Sequence, residues 1–585
     1  MKKLIFIFLL FPLLLFSQTN YYVSTTGNNG NPGTLELPWR NNWYACSQVT
    51  GGNNINTMSG TYAEGTQWIL ASGVNMYALG GVRIESSFAA TGQPLIKLES
   101  TNGWLHPEYI GHQEISGYTF DGNMTTYAAV YVNFRHYVKI HNCTFIGFVN
   151  NAIKIMGQPD YLWTTDNPYS DSGSSYPVFP DYWCLGNEIY NCTITDCSRK
   201  RSTSASHAVD IGVQNGLKFY NNVVTAIDRP TGENGYGIGF CSDGFNKNCK
   251  IYDNDITVSP LGDSPYEFAI EWWWDLGGTE IYDNRIIGAI DIVHCVDHHS
   301  MGYAVNIYKN EIGYNSTPST AERAILIEGR CEYLNIYNNY IHHVARAIYI
   351  PRHNYSGFDK LYHINIYNNL CVNLGMTGLN DRCWGIQSSE IREQSASSYI
   401  YIINNVFHAN PLLTEVTMYG VMIPSVYELS YCYIDNNIII GFDRAGIAGI
   451  FGRITAEYIY IRNNLMYGNG ATNDPYLDSN FLSTYDEETY TYSGTVKADP
   501  LFVSATDYHL QEGSPAIAAG IWVGLELDYD GYQWLNPPSI GAYEYISEYP
   551  PEPPEPPEPE PGTGQIWTDG LGNIITDGLR NIIKK

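Results

Sequence analysis

Charge is scarce in this chain, and positive charge is scarcer. Only 15% of its 585 residues are charged, and 31 Lys and Arg stand against 59 Asp and Glu, for a formal net charge of −28. Binding to a phosphate backbone rests on basic residues that displace counterions, so this balance excludes nucleic acid as an expected partner. Long apolar stretches are also missing. The run Leu4–Phe16 follows Met1, Lys2 and Lys3 and gives way to Ser17, Gln18, Thr19 and Asn20, and it is shorter than the roughly 20 residues of a membrane span. Its layout is that of a secretory signal peptide over residues 1–18. The expectation is an exported mature chain, secreted or at the cell surface, with no integral membrane segment. Cysteine is thin as well: the 12 cysteines are scattered, not packed into a short framework. Cys143 and Cys192 each follow the first Asn of a turn phrase, which favours stacked buried thiols. One or two bridges stay open, and no pairing is assigned.

What is abundant is repetition. The phrase Ile189-Tyr-Asn-Cys-Thr-Ile194 returns as Phe219-Tyr-Asn-Asn-Val-Val224, Ile251-Tyr-Asp-Asn-Asp-Ile256, Ile281-Tyr-Asp-Asn-Arg-Ile286, Ile307-Tyr-Lys-Asn-Glu-Ile312, Ile336-Tyr-Asn-Asn-Tyr-Ile341 and Ile366-Tyr-Asn-Asn-Leu-Cys371. Looser copies surround Asn142, Asn405, Asn437 and Asn464. From Cys192 through Asn222, Asn254, Asn284, Asn310, Asn339 and Asn369 the steps are 30, 32, 30, 26, 29 and 30 residues. Within each phrase apolar and polar residues alternate, as in a strand, and the Asn pair interrupts them with a turn. A second strand phrase follows in each step, as in Ala208-Val-Asp-Ile211, Gly237-Ile-Gly-Phe240, Ala269-Ile-Glu-Trp272, Ala289-Ile-Asp-Ile292, Ala324-Ile-Leu-Ile327 and Ala347-Ile-Tyr-Ile350. Identical units of this kind bury their apolar faces by stacking, about 4.8 Å per coil. An Asn at one corner of every coil can then bond the next coil as a ladder. The expected fold class is all-β, a parallel β-helix solenoid with Asn-ladder turns, followed by a Pro/Glu-rich linker and a short tail. The 49 tyrosines fit either sugar contact or plain strand propensity.

The Ile-x-Asn-Asn-x-Ile and Gly/Ala-Ile-x-Ile phrases make the chain resemble the right-handed parallel β-helix, or pectate-lyase-like, superfamily. Tyr21-Tyr-Val-Ser24, Asn31-Pro-Gly-Thr34 and Pro38-Trp39 are similar to the opening of such exported proteins. Asp499-Pro-Leu-Phe502, Gly513-Ser-Pro-Ala-Ile517, Asp528-Tyr-Asp-Gly531 and Ile540-Gly-Ala-Tyr543 are similar to the terminal region of secreted β-helix proteins of the choice-of-anchor kind. The resulting division is an N-terminal cap and first coils over 19–108, a central helix over 109–470, its C-terminal end over 471–547, the Pro/Glu linker over 548–562 and a repetitive tail over 563–585. The tail reads either as a surface-attachment or export tag or as a disordered or edge-pairing end.

Alternation along a strand points the middle residue of each second phrase outward. Stacking then makes a column of Tyr131, Lys154, Asp210, Gly239, Glu271, Asp291, Leu326, Tyr349 and Gln387. Beside its charged middle stand His207, the run Trp272-Trp273-Trp274, His294, and the basic cluster Arg199-Lys200-Arg201. Stacked carboxylates raise one another's pKa or recruit a cation. The first outcome makes an acid and base for glycoside hydrolysis. The second makes a Ca2+ site that binds a uronate and acidifies its C5 proton, and the resemblance makes Asp210, Glu271 and Asp291 its candidate ligands. The resemblance implies a basic residue beside acidic ligands, so Lys154 or Arg201 is the candidate base, with His207, Asp210, Glu271 and Asp291 as further catalytic candidates. Tyr131, Trp272, Trp273, Trp274, His294 and Tyr349 are the candidate sugar contacts. Neither the paired-Asp motifs of polygalacturonase-type hydrolases nor a contiguous pectate-lyase signature is present, so no family motif carries over residue by residue. His298 and His299 have no third ligand at zinc spacing. The expected partner is polysaccharide, cleaved by β-elimination. Inverting hydrolysis on the same face and non-catalytic glycan binding or structural projection at the cell surface are the alternatives.

Overall fold

The computed structural model describes residues 18–90, 92–100, 110–157, 183–198, 206–225, 237–258, 268–297, 300–314, 323–351, 361–375, 382–388, 396–412, 417–423, 428–449, 455–470 and 490–547. Most of the expected signal peptide, Arg199, Lys200, Arg201, His298, His299, the linker and the tail lie outside the described residues. Among the described residues no helix is long and apolar enough to cross a membrane.

Nearly every repeat folds as the phrases dictate. The Ile-Tyr half of each turn phrase forms one strand and the residues after the Asn pair form the next, as in Glu188–Tyr190 and Thr193–Thr195. Both pair in parallel with their counterparts a coil away, Ile189 with Phe219 and Ile194 with Val224. These strands belong to a 27-stranded sheet, and the second phrases form a 13-stranded parallel sheet running from Trp68–Ile69 to Ala445–Ala448. The chain is a right-handed parallel β-helix, the hand that connections between parallel strands take.

Two rows of side chains set the corner between the two strands of the turn phrase. The first Asn-position residue adopts a left-handed backbone, with φ between 52° and 55° at Asn191, Asn221, Asp253, Asp283, Lys309, Asn338 and Asn368, a conformation that Asn and Asp accept more easily than most residues. The second position is the buried ladder. Asn254 Nδ2 donates to Asn284 Oδ1 at 2.9 Å and to Phe219 O at 2.9 Å, and the pattern continues through Asn310, Asn339, Asn369, Asn405, Asn437 and Asn464. Each amide satisfies turn groups that no strand partner reaches.

The core is a continuous apolar column inside the coils, including Ile189, Ile251, Ile281, Ile307, Ile336 and Ile366. All 12 cysteines are buried and unbridged, so the buried-thiol reading holds. On the outer surface Tyr190, Tyr220, Tyr252, Tyr282, Tyr308, Tyr337 and Tyr367 stack ring on ring with centroids 4.8 to 5.0 Å apart. Neighbouring rings cover both faces of each inner member, so this row stiffens the solenoid and leaves no open ring face for a sugar.

A short helix, Asn42–Gln48, closes the N-terminal end against strand Trp68–Ile69. At the other end the chain turns back along the Asn corner. Asn463 Nδ2 donates to Ala519 O, Asn436 Nδ2 to Ile521 O, Asn368 Nδ2 to Leu527 O and Asn338 Nδ2 to Tyr529 O. The returning segment therefore clasps the outer side of several coils.

Candidate functional site

The outer face of the 13-stranded sheet carries the column, with one change of register. Tyr131 pairs with Lys154, Lys154 with Asp210, Glu271 with Asp291, Asp291 with Leu326, Leu326 with Tyr349 and Tyr349 with Gln387. Between Asp210 and Glu271, however, stands Cys241 and not Gly239. Gly239 faces the interior, where a Cβ would lie 2.8 Å from Ile256 Cγ2 and 2.7 Å from Ala269 O. The repeat unit here is Gly239-Phe240-Cys241-Ser242, two residues later than Gly237 suggests. The first Gly of Gly-Ile-Gly was the wrong anchor, because the small residue that fits the tight inner corner is the second.

The carboxylates of the charged middle are buried and ordered by their neighbours. Lys154 Nζ lies 2.8 Å from Asp210 Oδ2, and His207 Nδ1 lies 3.7 Å from the same oxygen, ion-pair range and not a hydrogen bond. At Asp210 burial opposes ionisation, but Lys154 and His207 outweigh it and bring the carboxyl to about 2. Three coils on, Asp291 is the reverse case. Burial, followed by the neighbouring carboxylates of Glu328 and Glu271, holds it well above the usual carboxylate range, against the pull of Arg323. The two acids are thus pushed in opposite directions, Asp210 towards the carboxylate and Asp291 towards the protonated acid. Both keep one buried oxygen, Oδ1, without a hydrogen-bond partner.

The three carboxylates expected to share Ca2+ do not meet at one point. Cys241 occupies the coil between Asp210 and Glu271, so strand spacing puts Asp210 and Asp291 about 14 Å apart along the column. Calcium bonds of about 2.3–2.6 Å do not bridge that interval. The side chains that do converge are His207, Cys241 and Glu271, whose ligating atoms lie within 4.8 Å of one another.

Of the tryptophan run, Trp273 lies on the outer face, in register with Val293 and two residues beyond Glu271. Trp272 is a correction: it is fully buried in the core, with its ring 6.1 Å from Phe240 and its Nε1 donating to Asp275 Oδ2 at 2.9 Å. Alternation dictates that consecutive strand residues take opposite faces, so the three rings do not share a platform. Trp274 turns out at the strand end, with φ 59°, and packs against Trp183, Val213, Leu276 and Val296. His294 is stacked on Trp274 at 4.7 Å and accepts the Arg330 N–H on Nδ1. Only 4% of it is exposed, so the corner holds it and it is withdrawn as a sugar contact. Tyr131 and Tyr349 remain half-buried on the outer face. The Arg346 guanidinium sits 4.7 Å above the Tyr349 ring, and Tyr349 borders an outer apolar cluster of Ile238, Cys241, Phe268, Ala289 and Leu326.

Arg201, the alternative base, lies outside the described residues. Sequence reasoning missed Cys241 in the column. Glu328 is not among the candidate residues either, although it follows Leu326 by two positions in the strand and its carboxylate adds to burial in raising Asp291.

No family model matches the chain, and no curated protein does. Similar solved structures include the GH136 lacto-N-biosidase from Eubacterium ramulus, at 12% identity and TM-score 0.37, covering 59% of this chain and 65% of that one. Pectate lyase Pel9A is similar at 12% identity and TM-score 0.30, covering 90% and 97%. PfbA, a surface adhesin of Streptococcus pneumoniae, is similar at 17% identity and TM-score 0.35, covering 56% and 84%. This chain therefore spans just under two thirds of the lacto-N-biosidase. The likeness concerns the fold alone.

Proposed function

We propose that the chain is an exported, polysaccharide-active β-helix protein that cleaves a uronate-containing glycan by β-elimination on the outer face of the 13-stranded sheet. The observation that carries this reading is the buried Asp210 carboxylate held between Lys154 and His207, on the same column as Asp291, whose carboxyl is held well above the usual range. In this reading Lys154 attracts the uronate carboxylate. His207, oriented by the Asp210 charge, removes the C5 proton, and the Glu271–Asp291 pair returns a proton to the leaving oxygen. Trp273 and Tyr131 contact neighbouring sugar rings. The leader, the Pro/Glu spacer and the repeated tail support export and attachment at the cell surface.

One observation favours hydrolysis as the second reading. Asp291, raised by burial and by its carboxylate neighbours, is in register with Glu271, about 4.8 Å away by strand spacing. That is nearer the roughly 5–5.5 Å of retaining glycosidases than the wider gap of inverting ones, so it departs from the inverting expectation. Incubation with uronate-containing and neutral polysaccharides, following unsaturated-uronate absorbance and reducing ends together, separates the two. Rising absorbance is the expected result. Reducing ends without absorbance would support the hydrolase, and silence in both would leave a binding role. In the lyase case His207→Ala is expected to lower kcat by about 10²–10⁴-fold.

A further inference from the structure

Three unlike donors meet one coil beyond Asp210. A His207 ring nitrogen, Cys241 Sγ and a Glu271 carboxylate oxygen all lie within 4.8 Å of one another. Cys241 is fully buried, and its Sγ is 3.5 Å from Glu271 Oε2. Register explains the meeting. Cys241 pairs with Glu271 on one side and with Asp210 on the other, while His207 precedes Asp210 by three residues on the same strand. Among the described residues no other three such side chains converge. A second observation points the same way: Asp210, which is 2% exposed and in register with Cys241, keeps Oδ1 without a hydrogen-bond partner among the described residues.

We infer that His207, Cys241 and Glu271 form a binding site for a transition metal of the Zn2+ type on the outer sheet face. Calcium takes oxygen ligands only, whereas a thiolate, an imidazole and a carboxylate are the donor set of zinc. Tetrahedral bonds of about 2.0–2.3 Å hold donors about 3.3–3.8 Å apart, so these side chains close by about 1 Å around the ion. Binding releases the Cys241 thiol proton to solvent, leaving the thiolate as ligand. Three protein ligands leave a fourth position for water or a substrate oxygen. An ion held here occupies the His207 nitrogen and the Glu271 carboxylate that the proposed cleavage uses to move protons, so bound metal is expected to suppress cleavage.

The test is a titration of the chelator-treated full chain with Co2+, a coloured stand-in for Zn2+. One equivalent is expected to give a near-ultraviolet thiolate-to-cobalt charge-transfer band, which Zn2+ removes and excess Ca2+ does not. Cys241→Ser is expected to abolish the band, whereas Cys192→Ser, at a buried thiol elsewhere, keeps it. His207→Ala is expected to weaken binding by more than about tenfold, and this half-buried position keeps the test open should Cys241→Ser fold poorly. Absence of the band, its survival in Cys241→Ser, unchanged affinity in His207→Ala, or displacement of Co2+ by Ca2+ would each overturn the assignment. No glycan enters the titration, so its outcome is separate from that of the cleavage assay.

Discussion

At the scale of single residues, the column is governed by what a neighbouring coil does to a buried charge. Asp210 has a folded pKa of about 2, below the ordinary 3.8. It therefore contributes stability that is present above about pH 4 and is lost as pH falls towards 2. The Lys154 ammonium does most to hold it down against burial. Lys154→Met is expected to cost about 3 kcal/mol at neutral pH, because it strands a buried carboxylate, and to flatten stability between pH 2 and 4. Urea denaturation across that range measures both; an unchanged midpoint would mean that Asp210 does not depend on Lys154. Lys154, Asp210, Glu271 and Asp291 were legible in the sequence because Ile or Val flanks each of them or its register neighbour and fixes the outward face. Cys241 was not, because Gly237-Ile-Gly239 offers two equivalent starts and only the packing of Gly239 against Ile256 chooses between them. Trp272 was misread by treating three adjacent rings as one surface, although strand alternation already separates it from Trp273.

At the scale of the elements, the Asn pair divides its work. The second Asn builds the internal ladder, and its role is readable from the sequence because the spacing is regular. The first Asn holds the left-handed turn, and along the later coils it also bonds the returning C-terminal segment. Asn436 is the clearest case, donating to Ile521 O at 2.8 Å and accepting Ile521 N–H at 2.9 Å. Asn436→Gly keeps the turn conformation, φ 57° in the protein, and removes both bonds. It is expected to cost about 1–3 kcal/mol and to speed amide exchange at Ile521. Unchanged exchange there would show that the clasp does not depend on this side chain. Nothing in the Asp499–Tyr543 motifs reveals this contact in advance, since the partners are backbone atoms and backbone partners leave no residue pattern.

At the scale of the whole molecule, the solenoid presents different chemistry on different faces. The tyrosine row covers its own ring faces, and the Asn corner is clasped by the C-terminal segment. The outer face of the 13-stranded sheet brings together Lys154, His207, Asp210, Cys241, Glu271, Trp273 and Asp291. The repeat period was enough to read the scaffold, because stacking is the way identical short units bury their apolar sides. The choice of face was half-legible, since charge clustering marked it while the burial and pairing that give each acid its state depend on neighbours about 30 residues away. The most direct test of this account is a hydrogen-exchange footprint of the chain with a uronate oligosaccharide that it binds. Protection confined to strands Asn151–Met156, Ser206–Gly212, Gly237–Asn246, Phe268–Asp275 and Ala289–Val293 is the expected result. Protection along the tyrosine row instead, with these strands unchanged, would contradict it.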